Sequence, residues 1–164
     1  MKNAYLLLGS NLGDRMSSIE SALSYLENEY CVIQKCSSFY ESEAWGGNAQ
    51  NYFVNIAIHL KTGFTPKELL LHCKQIEMLA GRKSYKKWGD REIDIDILFY
   101  ENETFTDEQL LIPHPYLQER KFVLLPLAEI ALQYMHPVEK KTIRQLLHDC
   151  KDPLNVKKIN EHKR

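Results

Sequence analysis

Residues 88–100 read WGDREIDIDILFY, and the last eight residues of this stretch repeat with a period that only a β-strand accommodates. Ile93, Ile95, Ile97 and Phe99 alternate with Asp94, Asp96, Leu98 and Tyr100, and β-branched residues at period two predict a strand with the isoleucines on a core. Successive side chains point to opposite faces, so Asp94 and Asp96 emerge on the same face, about 7 Å apart. Two carboxylates at that spacing suit hard cations. Mg2+ takes one or two protein carboxylates and completes its shell with water and substrate phosphates. Arg82, Lys83, Lys86, Lys87 and Arg91 lie just upstream and are the cations a polyphosphate would need around it. The same D-x-D pattern also occurs on the solvated face of an ordinary half-buried sheet, and a charge run is also what a solvated loop carries. What surrounds these residues separates the two readings.

The rest of the chain bounds the class. With 164 residues, 44% of them hydrophobic, and no Pro/Gly/Ser-rich linker, it is read as one domain over residues 1–156, followed by a polar tail, 157–164, expected to fray. A formal net charge of -1 argues against a dedicated nucleic-acid binder. Cys31, Cys36, Cys73 and Cys150 form no C-x-x-C pair and are read as free thiols. The apolar run at residues 4–8 is too short for a signal peptide, and no stretch approaches the ~18 apolar residues of a membrane span. A cytoplasmic protein without a membrane partner is expected.

Taken in order, residues 4–8 (AYLLL) predict a central strand closed by a turn at Gly9, Ser10 and Asn11. A helix follows, with Ile19, Ala22, Leu23 and Leu26 at helical spacing and Asp14 placed to cap it. The G-x-x-x-x-G-K-[ST] phosphate loop is absent from the chain, so a nucleotide must be held by other means. Residues 31–40 read as a second strand, and residues 41–50 as a long loop carrying Trp45. In the strand at residues 53–60, Val54, Ile56, Ile58 and Leu60 share one face, and Phe53, Asn55, Ala57 and His59 the other. A ring beside an amide suits a flat heterocycle; an aromatic next to a solvated Asn is the plainer alternative. Thr65, Pro66 and Glu68 open a helix as a capping box, with Leu69, Cys73, Ile76 and Ala80 as its apolar stripe. His114 is flanked by Pro113 and Pro115, which keep it out of a helix. Residues 122–127, broken by Pro126, read as core or as a short edge strand. Thr142 and Gln145 begin a last short helix. This order predicts an α+β fold with a ferredoxin-like β-α-β-β-α-β core and C-terminal α/β additions, helices on one face of the sheet and the site on the other.

Assembled, these residues resemble the 6-hydroxymethyl-7,8-dihydropterin pyrophosphokinase family, which transfers pyrophosphate from ATP to a pterin alcohol. The resemblance is carried by LGSNLGD at 8–14, SSFYESEAWG at 37–46, FVNIAI at 53–58, IEMLAGR at 76–82, WGDREIDIDIL at 88–98 and IPHPYLQERKFVLLPLAEIA at 112–131, with HP at 136–137. It implies that Asp94 and Asp96 hold two Mg2+ ions, with Arg82 and Arg91 beside the phosphates as the remaining catalytic residues. It further implies ATP contacts from Glu77, Lys87, Trp88, Arg91, His114, Tyr116 and Arg120. Ser42, Ala44, Trp45, Phe53, Asn55 and Phe122 would form the pterin pocket. ATP and 6-hydroxymethyl-7,8-dihydropterin are the implied ligands of a monomer without a nucleic-acid partner. The chain departs from the family's usual G-R-x-R-x-x-R-W-G-P-R at Ser84, Lys87 and Asp90. Lysine is a point charge and does not reproduce arginine's fork, while Lys83 and Lys86 lie near enough in sequence to compensate. Two competing classes are an RNA-binding module, since ferredoxin-like sheets with exposed aromatics stack bases, and another metal-dependent phosphotransferase. The acidic face and the missing RNP1 pattern weigh against the first. The Phe53, Asn55 and Phe122 set favours a flat acceptor over the second.

Overall fold

β1 (Lys2–Ser10) runs through the middle of the sheet because its residues from Leu6 to Ser10 are buried on both faces. The computed structural model describes residues 1–44, 51–83 and 89–159. After β1 come α1 (Arg15–Leu26), β2 (Cys31–Cys36), β3 (Tyr40–Ser42), β4 (Phe53–Thr62), α2 (Pro66–Leu79) and β5 (Asp94–Tyr100). A small hairpin of β6 (Phe105–Thr106) and β7 (Leu111–Ile112) leads through a 3-10 turn, Leu117–Glu119, to α3 (Lys121–Ala131), α4 (Ile143–Asp149) and β8 (Val156–Lys158). The main sheet is antiparallel throughout, in the order β5-β1-β4-β3-β8, with β2 on the same edge of β4 as β3. This is the β-α-β-β-α-β arrangement expected, with the second strand divided in two.

The division has a side-chain cause. Ser37 turns the chain against β4, its N–H donating to the Ala57 carbonyl and its Oγ accepting from the Ala57 N–H, both at 2.9 Å. Ser38 N–H and Oγ then donate to one oxygen of Glu129 on α3, and the Tyr40 hydroxyl to the other at 2.7 Å. The helices are capped as their sequences predict. Asp14 accepts from Ser17 N–H, and reciprocal capping boxes form at Thr65/Glu68 and Thr142/Gln145.

Two cores flank the sheet. On one face Leu6, Leu8, Val54, Ile56, Ile58, Ile95 and Ile97 pack with Ile19 and Leu26 of α1 and Leu69 and Ile76 of α2. On the other, Leu7, Ala57, Leu98 and Phe99 pack with Val123, Leu124 and Leu127 of α3 and Ile143 and Leu146 of α4.

Four features differ from the sequence reading. Gly9 and Ser10 continue β1 instead of turning it. Between β1 and β5 the register shifts, Tyr5 facing Phe99 and Leu6 facing Ile97, so Leu98 is an extra residue. That bulge sends Phe99 to the face of the C-terminal helices and Tyr100 to the isoleucine face, reversing the simple alternation. Residues 122–127 are core, one of the two alternatives read from the sequence, but they form the middle of α3 instead of an edge strand, with Pro126 inside the helix. Proline removes one helical donor, and burial of Val123, Leu124 and Leu127 offsets that loss. Finally, Lys157 and Lys158, read as the start of a fraying tail, belong to β8 and pair with β3.

Candidate active site

The strand register builds the site as rows across the sheet. Gly9 of β1 lies opposite Asp94 of β5 on one side and Asn55 of β4 on the other; Leu7 lies likewise between Asp96 and Ala57. Opposed residues share a face, so Asp94, Gly9 and Asn55 form one row, with the carboxylate and the amide two strands, about 10 Å, apart. A Cβ on Gly9 would stand 2.4 Å from Asn55 Oδ1 and 3.7 Å from Phe53 Cδ1. The missing side chain is therefore what lets the Asn55 amide lie against β1. Asn55 is 3% exposed and donates to Ser42 Oγ at 3.5 Å, and Ser42 pairs with Phe53 across β3 and β4.

At the other end of the row, Asp94 is held by cations. Its Oδ1 takes Arg82 Nη1 at 3.0 Å and its Oδ2 takes Arg91 Nη1 at 3.1 Å. Arg82 Nη1 also lies 3.1 Å from Glu77 Oε2, which accepts the Ile95 N–H at 2.8 Å and so fastens α2 to β5. The other Glu77 oxygen is buried and finds no hydrogen-bond partner among the described residues. The Arg91 guanidinium reaches over the Phe53 ring at 5.9 Å, linking the carboxylate end to the aromatic end.

Arg91 is fixed from behind by Asn11, a residue that the sequence reading assigned only to a turn. Asn11 Oδ1 accepts the Arg91 N–H at 2.7 Å and Asn11 N–H donates to the Arg91 carbonyl at 3.0 Å. The Asn11 amide donates to the Asn51 carbonyl and to Asp90, which also accepts the Asn51 N–H. Asp90, a departure from the family pattern, thus tethers the start of β4 to the segment entering β5, which proline could not do.

Buried charges set the electrostatics. Burial and the Asp94 charge push Asp96 well above the usual carboxylate range, against the pull of Arg120. Burial and Asp94 raise Glu77 as well, opposed by the Ile95 N–H and Arg82. Asp96, beside Asp94 on the row face, therefore sits where added positive charge is favourable. The pair is chemically fitted to Mg2+, since two carboxylates leave the remaining coordination to water and phosphate. Among the described residues, no cluster of three or more His, Cys, Asp or Glu could hold a metal without such help.

The α3 side supplies a second wall. Arg120 is buried, with its guanidinium 5.0 Å over Tyr116 and 5.6 Å over Phe122, so Phe122 joins the site as part of this stack. His114 N–H bonds the Leu98 carbonyl at 3.1 Å, and its Nδ1 accepts from Tyr116 N–H at 3.4 Å, leaving the ring proton on Nε2. Burial and Arg120 push His114 down to about 4, so it is a neutral donor at pH 7. Ala44 is half-buried two residues beyond Ser42. Trp45, Ser84, Lys86, Lys87 and Trp88 lie outside the described residues.

Cations aimed at carboxylates on one end of a sheet row, with an amide and an aromatic ring at the other, suit the class of transferases that bring a phosphorylated donor to a planar acceptor. The family model described as 7,8-dihydro-6-hydroxymethylpterin-pyrophosphokinase matches residues 5–132. The chain belongs to that family, and it is accordingly an ATP-dependent pyrophosphokinase of folate biosynthesis. It is 46% identical over 145 residues to the 2-amino-4-hydroxy-6-hydroxymethyldihydropteridine pyrophosphokinase of Aquifex aeolicus, covering 88% of this chain and 90% of the relative. The protein of the same name from Methylorubrum extorquens is 38% identical over 160 residues, 97% of this chain and 99% of the relative. Among solved structures, wild-type HPPK-DHPS from Plasmodium falciparum superposes with a TM-score of 0.70 at 20% identity, over 90% of this chain and 44% of that one. This chain thus spans less than half of that longer protein, and the likeness speaks to the fold.

Proposed function

We propose that Asp94 and Asp96 hold two Mg2+ ions against the ATP phosphates, and that the hydroxymethyl oxygen of 6-hydroxymethyl-7,8-dihydropterin attacks the β-phosphorus in line. The bond between the α,β-bridging oxygen and the β-phosphorus breaks, and AMP leaves. The observation that carries this reading is the row Asp94–Gly9–Asn55, which sets a cation-seeking carboxylate and an amide with paired donor and acceptor on one surface. Phe53 and Phe122 stack on the pterin, Asn55 and Ser42 bond its edge, and Ala44 and Trp45 complete the pocket. Arg82 and Arg91, already aimed at Asp94, exchange part of that contact for phosphate oxygens and stabilise charge on the transferred group. Glu77 holds Arg82 and β5 in register beneath the ATP, while His114, Tyr116 and Arg120 take the nucleotide side, with Lys87 and Trp88 from the preceding segment. Mg2+ supplies charge neutralisation of the triphosphate and a lower barrier to deprotonating the alcohol. The protein's own share is positioning and fixed charge, without a dedicated general base.

A monomeric cytoplasmic enzyme completes the reading, with neither nucleic acid nor membrane as a partner; the near-neutral net charge weighs against nucleic acid, and sedimentation tests the oligomeric part. Among the described residues no helix is long and apolar enough to cross a membrane. The pocket assignment is tested by calorimetry on Phe122→Ala. Its pterin affinity is expected to fall about tenfold or more, as loss of a stacked ring requires, while its ATP affinity moves less. Equal losses for both ligands would remove Phe122 from the acceptor pocket.

A further inference from the structure

α3 begins without a cap of its own. Its N-terminal flanking residue, Arg120, makes no side-chain capping bond, yet the first turn carries Arg120 and Phe122 into the site. The missing acceptor comes from far along the chain. Asp152, 9% exposed, accepts the Lys121 N–H through Oδ2 at 3.0 Å and the Leu154 N–H through Oδ1 at 3.0 Å. A carboxylate there also meets the positive end of an 11-residue helix.

The same segment then crosses to the opposite wall. Asn155 N–H donates to Glu43 Oε1 at 2.8 Å, the Asn155 carbonyl accepts the Glu43 N–H at 3.4 Å, and Ile159 N–H donates to the Phe39 carbonyl at 2.9 Å. Between them β8 pairs with all three residues of β3. β3 is too short to hold a fixed position by its own ladder, and without β8 it would be the free edge of the sheet. Its last residue is Ser42, the bonding partner of Asn55. One stretch of eight residues therefore fixes the N-terminus of the helix that carries Phe122 and the strand that carries Ser42. It lies beyond residues 5–132, the part that matches the family's model.

We propose that residues 152–159 are a brace that positions the two walls of the acceptor pocket relative to each other, so that pterin affinity depends on a segment that touches no substrate. This rests on the reading of Ser42, Asn55 and Phe122 as the acceptor pocket. In an antiparallel pair, hydrogen-bonded positions alternate. Because 39/159 and 43/155 each carry a backbone hydrogen bond, 41/157 is a hydrogen-bonded position too, whereas the Lys158 N–H points away from β3. Lys157→Pro therefore breaks the brace, and Lys158→Pro is its matched control.

The experiment measures KM for pterin and for ATP separately in the full chain carrying Lys157→Pro, Lys158→Pro, Asp152→Ala or Asp152→Asn, with circular dichroism to confirm folding. Lys157→Pro and Asp152→Ala are expected to raise pterin KM at least threefold more than ATP KM. Lys158→Pro stays within twofold of wild type on both, and Asp152→Asn, which keeps an acceptor oxygen, recovers most of the loss. A merely structural role would lower the melting temperature without splitting the two constants. Unchanged constants, or equal rises for both substrates, in folded Asp152→Ala would overturn the brace even if Lys157→Pro cannot be produced. Should Phe122→Ala also spare pterin affinity, the pocket reading fails; should Phe122→Ala weaken pterin while the brace variants do not, the brace fails alone.

Discussion

Replacing Gly9 by alanine perturbs the site through a single methyl group whose position is fixed by the backbone. That methyl would lie 2.4 Å from Asn55 Oδ1, about 1 Å inside ordinary contact, and 3.4 Å from Asn55 Cγ. Asn55 is buried and cannot swing into solvent without breaking its approach to Ser42. Alanine in a strand would otherwise stabilise by roughly 0.5–1 kcal/mol relative to glycine, while overpacking a filled site costs about 1–3 kcal/mol. The net expectation is a loss of about 1–2 kcal/mol, a fall of roughly 2–8 °C in melting temperature for a chain of this size. A displaced Asn55 also presents its amide at the wrong angle, and losing one or two bonds of about 1 kcal/mol each raises pterin KM roughly five- to thirtyfold. ATP KM should move less than twofold. Thermal melts and separate substrate titrations read both effects. The decisive variant is Gly9→Ala in an Asn55→Ala background, where the clash has no partner and the stability cost should vanish or turn into a gain of up to about 1 kcal/mol. A wild-type melt and pterin KM for Gly9→Ala, or a stability cost undiminished beside Asn55→Ala, would refute the reasoning.

Other perturbations separate charge from packing. Asp96→Asn should abolish AMP formation while melting no lower than wild type at pH 8, because desolvation of its half-buried charge and repulsion from Asp94 oppose folding; activity near wild type would remove Asp96 from the metal site. Asp94→Asn should lose activity and also about 1–3 kcal/mol of stability in urea titrations, since it weakens ion pairs with both Arg82 and Arg91. His114 binds its proton less readily folded than unfolded, so below its ordinary value of 6.5 the unfolded chain takes up more protons and stability falls until the folded group charges near 4. His114→Gln should remove up to about 3 kcal/mol of that acid-side loss relative to wild type, whereas the raised Asp96 and Glu77 act in the opposite direction in both proteins. Parallel stability-versus-pH curves for the two would contradict the assignment. Glu129→Gln should cost about 1–2 kcal/mol by weakening the bonds from Ser38 and Tyr40, and a change below about 0.3 kcal/mol would show that those bonds do not hold α3 to the sheet.

The sequence made most of the scaffold readable because local signals and burial agree there. Alternation in residues 53–60 assigned each side chain of β4 to its face, and the capping residues Asp14, Thr65 and Thr142 marked their helices. Pattern failed where long-range packing overrides local preference. Pro126 argued against a helix, but the apolar face of α3 buried against the sheet outweighs one missing donor. The Leu98 bulge leaves no mark in an uninterrupted ILFY, because its cause is a register with β1 set elsewhere. In the site, residues of strong chemical type were legible: Asp94, Asp96 and Asn55 fall on the face that alternation assigns them. Those acting by geometry were not. Gly9 and Asn11 read as turn residues and Asp152 carried no signal, since their roles exist only once β4, β5 and α3 are brought beside them.

The most direct test of the account is AMP formation from MgATP by the purified protein, with and without 6-hydroxymethyl-7,8-dihydropterin. The account predicts AMP in stoichiometric yield with pyrophosphorylated pterin, only when the pterin is present. AMP at the same rate without it, or none in either tube from folded protein that binds ATP, would contradict the assignment of Asn55 and Phe122 to a pterin acceptor.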